Sequence, residues 1–387
     1  MTNYKKVFIG ACIGQLLFGM VMLSLGTVNT FITSQLNLDE NTIGTIAGIL
    51  PFGILAGSLL FGPILDRYGY KILFIVSTVI LLITFQGIAR ANSTATVKIS
   101  FFLIGLSGGV LNGSTNALVS DISEDKGAKL SLLGVFYGIG ALGMPAIMGL
   151  LNEIFNYQKI LSGFGIFMII PALYFILIKY PEPKQKQKFP IKKGLKLLVN
   201  INLLLMGMFL FFESGIEGIA NNWSTTYLTQ DILLTQNKAL FTLSVMIFSL
   251  SVTRLVLGTV LKKMKSHLVL SISLAIAFIG GLIMLLGNSF LASLIGMILL
   301  GIGTAAGFPV ILGYVGTIFP ELSGTAFSVA FFIALVGNML INKFVGFIAG
   351  AYGIKYFLVV LLISIVFMFI LLSLIVRRVS GEIENKE

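Results

Sequence analysis

Long apolar runs separated by short polar breaks fill the chain from end to end. Twelve such runs can be marked, at about 7–34, 41–63, 72–90, 98–120, 128–152, 158–179, 201–229, 238–261, 268–288, 290–318, 323–350 and 354–376. Each is long enough, as a helix, to cross the ~30 Å hydrocarbon core of a bilayer. The pattern predicts an all-α membrane protein with twelve transmembrane helices. One break is longer than the others. It carries Lys179, Lys184, Lys186, Lys188, Lys192, Lys193 and Lys196 together with Pro181, Pro183 and Pro190. That break divides the chain into a six-helix bundle over 1–179, a basic cytoplasmic linker over 180–199, and a second bundle with a short tail over 200–387.

Six spans on each side suggest a parallel duplication, which should place matching features at one offset. Gly62 aligns with Gly258 and Gly105 with Gly301 at an offset of 196, and Gly127 with Gly324 and Ser131 with Ser328 at 197. With the matched order of spans, these identities predict two pseudo-symmetric bundles.

Composition removes other classes. With 57% hydrophobic and 11% charged residues and a mean hydropathy of +1.01, the chain is not a soluble globular protein. A net charge of +11 could suggest nucleic acid, but the cations are sorted by side of the membrane. With the N-terminus inside, cytoplasmic segments hold Lys5, Lys6, Arg67, Lys71, Lys126, Lys129, the seven linker lysines, Lys262, Lys263, Lys265, Arg377, Arg378 and Lys386. External segments hold only Arg90, Lys98, Lys159, Lys238 and Lys355. This bias places both termini in the cytoplasm. Lys5 and Lys6 before an apolar run could imitate a signal peptide, but the run continues to Ile32 without a small-residue cleavage pattern, so the expectation is a retained first helix. The single cysteine, Cys12, and the single histidine, His267, leave no intrachain disulfide, metal cluster or His-based triad.

Charges inside spans are costly and are therefore candidates for function. Span 7 carries Glu213 and Glu217 four residues apart, on one helix face. Arg254 in span 8 and Lys343 in span 11 are the in-span cations. Depth along the helices suggests pairing Glu213 with Arg254 and Glu217 with Lys343, as coupling groups or as static pairs. Span 4 offers Asn112, Ser114 and Asn116, and span 1 offers Gln15 and Asn29. Primary amides both donate and accept, which suits a hydroxyl-rich ligand; the alternative is hydrogen bonding that holds helices together. Gln86 in span 3 reads as structural. Tyr137, Trp223 beside Asn221, and Phe308-Pro309 could offer aromatic faces to a ring, and Asn338 and Asn342 could line a gate or pocket.

The loop between spans 2 and 3 reads Gly62-Pro63-Ile64-Leu65-Asp66-Arg67-Tyr68-Gly69-Tyr70-Lys71. It resembles the Gly-x-Leu-Ala-Asp-Arg-x-Gly-Arg-Lys loop of the major facilitator superfamily, matching at Gly62, Asp66, Arg67, Gly69 and Lys71, with Tyr70 where an Arg is usual. Its second copy keeps Gly258 but has Lys262 in place of the acid. Span 4 (Gly108 to Asn116) and span 7 (Glu213 to Trp223) resemble the fucose permease and glucose/galactose transporter branch. Asn112 stands where proton-coupled fucose-permease relatives carry an acid, and no acid occurs before Asp39. The resemblance therefore leaves Glu213 or Glu217 to carry any coupling.

The resemblance implies a secondary active transporter of the cytoplasmic (inner) membrane, working by alternating access as its bundles rock around a midplane site. The expected substrate is a small polar organic solute, a sugar above all, bound by Gln15, Asn29, Asn112, Asn116, Tyr137, Glu213, Asn221 and Trp223. Asp66 would steady the cytoplasmic ends through the helix N-terminus near Ser323-Gly324. The expectation is a monomeric carrier in a lipid bilayer, not an enzyme, with no metal, cofactor or nucleic acid and with a proton or sodium ion as coupling ion. A proton-coupled exporter of amphipathic drug-like compounds is the alternative within transport. A transport-inactive receptor or scaffold is the alternative from another class.

Overall fold

The computed structural model describes residues 4–37, 40–152, 154–183, 197 and 199–384. Most of the basic linker and Lys386 therefore lie outside the described residues. Among those described, twelve stretches are long and apolar enough to cross a membrane, and the regular structure is helical throughout. In chain order the helices are α1 (Tyr4–Leu36), α2 (Glu40–Tyr68), α3 (Tyr70–Ala89), α4 (Thr94–Ile122), α5 (Lys126–Leu151), α6 (Tyr157–Phe167), α7 (Ile169–Leu177), α8 (Ile201–Gln230), α9 (Gln236–Val260), α10 (Ser266–Leu286), α11 (Phe290–Thr304), α12 (Gly307–Ile318), α13 (Ser323–Tyr352) and α14 (Phe357–Glu384).

Two spans are each made of two helices. The sixth is α6 and α7, joined at Met168, and the tenth is α11 and α12, joined at Ala305-Ala306. Proline accounts for the second break. Pro309 has no N–H to donate to the carbonyl four residues earlier, at Ala305. A carbonyl released at membrane depth must find another donor.

Two compact units emerge. The first comprises Met1–Ile122, Leu133–Gly194 and Pro320–Ser328, and the second Ser123–Leu132, Leu195–Phe319 and Val329–Glu387. Neither follows chain order alone: the first turns of α5 group with the second unit, and those of α13 with the first.

Close backbone packing inside each unit shows the duplication directly. A Cβ on Gly105 of α4 would strike the Leu50 carbonyl of α2 and lie 3.0 Å from the Ile54 nitrogen. A Cβ on Gly301 of α11 would strike the Met246 carbonyl of α9 and lie 3.2 Å from the Leu250 nitrogen. All three positions recur 196 residues further on, so the offset read between the two glycines also holds for the helices they touch. Such backbone approach is possible only at a small residue, the usual device of helix pairs in lipid.

Gly105→Ala and Gly301→Ala should therefore destabilise their own units alike, by about 1–3 kcal/mol each. Gly350→Ala, where a Cβ meets nothing within 4 Å, should not. Thermal unfolding of the purified protein measures all three, and equal melting temperatures for the three variants would contradict this packing.

Candidate functional site

In the first unit the span 1 and span 4 amides form one network. The Gln15 side chain on α1 donates from Nε2 to Asn112 Oδ1 at 3.2 Å, and its Oε1 accepts from Thr115 Oγ1 at 2.6 Å. Asn116 Nδ2 donates to the Asn112 backbone carbonyl at 2.8 Å and to Asn112 Oδ1 at 3.1 Å. Thr115 was not singled out from the sequence, although it lies within the span 4 motif. Among the described residues, Asn112 Nδ2 and Asn116 Oδ1 have no protein partner, and neither atom is sealed from solvent. The cluster thus holds its own geometry and still offers one amide donor and one amide acceptor. Tyr137 of α5 lies against Phe18 of α1, with ring centroids 5.6 Å apart. Asn29 falls in α1 with its side chain outside the described residues. Gln86 links α3 to α6 through two hydrogen bonds with Ser162, each 2.8 Å.

The charged cluster lies in the second unit. Glu213 and Glu217 share one face of α8, but the pairing differs from the one inferred from depth. Arg254 Nη2 of α9 donates to Glu217 Oε1 at 3.0 Å, so Glu217, not Glu213, is its salt-bridge partner. Depth compared Cα positions, whereas an arginine side chain reaches beyond one ~5.4 Å helical turn. Its Nε points to the Ala305 carbonyl at 3.4 Å, the acceptor that Pro309 releases from the helix. Lys343 is exposed, which corrects its proposed pairing with Glu217. It sits one residue beyond Asn342, about 100° around α13 from the face turned to α8.

Glu213 is 1% exposed, and its Oε1 has no hydrogen-bond partner among the described residues. Its carboxyl packs against Gly307, where any Cβ would overlap it. Arg254 and Glu217 are the charged groups acting on it. Ala305 and Gly307 were missed in the sequence; Pro309 was the signal that could have located the break.

Span 11 meets span 7 through a ladder of amides. Asn338 Nδ2 donates to the Ser214 carbonyl at 2.7 Å, and Asn342 Nδ2 to the Asn338 carbonyl at 2.9 Å. Asn342 Oδ1 accepts from Asn222 Nδ2 at 3.0 Å and Trp223 Nε1 at 3.2 Å. The indole N–H of Trp223 is thus committed to α13, while Asn221 stands exposed. Phe308 stacks with Phe331 at 6.4 Å.

The signature loop closes on the start of α13. Gly69 has φ +79°, a conformation suited to glycine, and its N–H donates to the Leu65 carbonyl at 2.8 Å. Asp66 is buried and accepts from Gly324 N at 3.2 Å, Thr325 N at 3.0 Å and Thr325 Oγ1 at 2.6 Å. A carboxylate on the first N–H groups of a helix satisfies donors the helix cannot. A Cβ on Gly62 would fall 2.5 Å from the Gly324 carbonyl, so that glycine permits the approach. The Tyr70 hydroxyl donates to Asp121 of α4. Arg67 is exposed and lies over the Tyr68 ring at 5.1 Å, and Lys71 is half-buried.

Residues 11–290 match the Major Facilitator Superfamily. The chain belongs to that superfamily. It is a transporter of the superfamily, carried on twelve apolar helices. Its relatives include the probable nitrate transporter NarT of Staphylococcus epidermidis, 24% identical over 344 residues that cover 84% of this chain and 85% of NarT. The glucose/mannose transporter GlcP of Bacillus subtilis is 23% identical over 346 residues, covering 85% and 84%. In fold it is similar to FucP, the E. coli fucose:proton symporter, solved in the outward conformation, with a TM-score of 0.81 at 16% identity over 95% of this chain and 98% of that one. The proton:xylose symporter XylE gives 0.74 at 14% identity, over 95% of each chain. At such identities the likeness to solved structures establishes the superfamily fold and leaves the substrate to the site.

Two substitutions test the electrostatics. Arg254→Gln leaves Glu217 charged and unpaired in a span and should cost about 3–5 kcal/mol. Adding Glu217→Gln should recover most of it in thermal unfolding, and an uncoupled pair would instead give additive losses. Asp66→Asn keeps the shape but puts an NH2 group among donors, and should cost about 1–3 kcal/mol. Thiol labelling of cysteines introduced along α13 should then report a loosened first turn, with unchanged labelling as the contrary result.

Proposed function

We propose that this protein is a secondary active transporter of a sugar or a similar small hydroxyl-rich solute. In this reading both termini are cytoplasmic, the membrane is the cytoplasmic one, and turnover proceeds by alternating access. One observation carries the substrate class: the Gln15–Asn112–Thr115–Asn116 network is internally satisfied yet leaves an amide donor and an amide acceptor four residues apart on α4. A sugar hydroxyl can accept from one and donate to the other. The names of GlcP, FucP and XylE support a sugar and the name of NarT an anion. Arg254 favours the neutral solute, because its charge is paired with Glu217 and its Nε is turned to the Ala305 carbonyl. With Glu213 beside that pair, the cluster has no cation to spare for nitrate.

Glu213 is the coupling group in this reading, with a proton as coupling ion. Desolvation and a nearby cation act on a carboxyl in opposite senses. A buried carboxyl without a fixed partner, beside an arginine held by another acid, changes protonation when access to that arginine changes. Glu217, fixed to Arg254, holds the cation in place.

Uptake of labelled monosaccharides into proteoliposomes tests the whole reading. Glu213→Gln should retain substrate binding and exchange but lose accumulation driven by a proton gradient. Asn112→Ala and Asn116→Ala should weaken binding about five- to 150-fold, the effect of about 1–3 kcal/mol for a hydrogen bond lost in a desolvated site. Undiminished accumulation in Glu213→Gln would remove the coupling role, and uptake of nitrate without sugar uptake would remove the substrate class.

A further inference from the structure

A crevice of about 600 Å³ runs along the first unit, between α1, α5 and α6. Its walls are apolar, formed by residues such as Leu16, Met144 and Phe167, and Lys159 is the one charged residue lining it. Three glycines of the lining define its form. At Gly140 a Cβ would strike the Leu16 carbonyl, so α1 and α5 close there. At Gly143 and Gly163 a Cβ would meet nothing within 4 Å, so the missing side chains leave the trough open.

Its length is informative. From Lys159 to Phe167 along α6 is about 12 Å, and from Ile139 to Leu151 along α5 about 18 Å, at 1.5 Å per residue. Both are close to half of the ~30 Å hydrocarbon thickness. The trough is therefore one leaflet deep, too short for a spanning helix of a partner and matched to one acyl chain. Its charged end lies at the start of α6, where the helix N-terminus also favours an anion. Lys159 is exposed there, and Asn156 caps the helix by accepting from Lys159 N at 3.1 Å.

We propose that this crevice is a phospholipid site, holding one acyl chain of an anionic glycerophospholipid whose phosphate meets Lys159. The chain lies across Gly143 and Gly163, and the headgroup rests at the first turn of α6. No polar group in the trough has to be desolvated for the chain to enter, so affinity comes from apolar burial and headgroup preference from Lys159.

Native mass spectrometry of the full chain, purified in detergent and titrated with phosphatidylglycerol or phosphatidylcholine, tests this. Wild type should retain one phosphatidylglycerol, bind it about fivefold more tightly than phosphatidylcholine, and melt at a higher temperature with it. Gly143→Leu with Gly163→Leu fills the trough and should abolish the retained lipid while leaving the lipid-free melting temperature unchanged. Lys159→Gln should keep the lipid but lose the preference between headgroups. The proposal is overturned if wild type retains no phosphatidylglycerol or does not discriminate, or if the glycine variant binds lipid as wild type does. Should the glycine variant fail to fold, Lys159→Gln decides alone: an unchanged preference for phosphatidylglycerol overturns the site.

Discussion

In hydrocarbon there is no water to complete a hydrogen bond, so each polar group in a span must find its partner within the protein. That constraint accounts for most of the polar architecture seen here. Where Pro309 removes a donor, the Ala305 carbonyl is met by Arg254. Arg254 in turn needs an anion and takes Glu217. The amides follow the same rule, with Gln15, Asn112 and Asn116 satisfying one another and Asn338 and Asn342 binding α8. Among the described residues, seven buried hydroxyls of Ser and Tyr also lack a partner, but Glu213 Oε1 is the one carboxyl oxygen in that group, and a carboxyl is the costlier one to leave unpaired. In the function proposed above, that cost falls on the group that changes state.

The duplicated ends make corresponding contacts of two strengths. The C-terminal end of α2 meets the start of α13 at Gly62 and Gly324, and the end of α9 meets the start of α5 at Gly258 and Ala128. In the first copy Asp66 is buried and accepts three hydrogen bonds. In the second, Lys262 pairs with Asp125 at 3.5 Å, with both side chains more than half exposed. A solvated pair of that kind contributes about 0–1 kcal/mol, well below a buried carboxylate on a helix N-terminus. Lys126 adds to the second copy differently, donating to the Gly316 carbonyl and Thr317 Oγ1 at the C-terminal end of α12.

The fold was legible because length and apolarity suffice to mark a span, and because glycines at one offset record a shared packing register. The signature loop was legible for a related reason: a positive-φ glycine and a buried acid are chemically narrow requirements. Side-chain partners were less so. Glu213, Glu217 and Arg254 could be named from cost alone, but the choice of partner turned on how far an arginine reaches and on a carbonyl exposed by Pro309, neither visible in a count of residues along a helix. Trp223 illustrates the same limit. Its composition suggested a face for a ring, and its indole N–H proves to be bound to Asn342.

The two polar clusters differ in chemistry, and in the function proposed above that difference divides binding from coupling. Amides do not ionise near neutral pH, so the first-unit network offers hydrogen bonds without a charge that varies with pH. The second-unit cluster is the reverse: Arg254 is held by Glu217, and beside them lies the buried Glu213 carboxyl, whose Oε1 has no partner among the described residues. Had the span 4 acid of the fucose-permease pattern stood at Asn112, recognition and protonation would have met on one helix. With Asn there, the in-span acids Glu213 and Glu217 stand on α8 instead, where Gly307 leaves room for the Glu213 carboxyl and Glu217 holds Arg254. In the function proposed above, that separation lets the amide face vary with substrate without altering the group that takes up the proton.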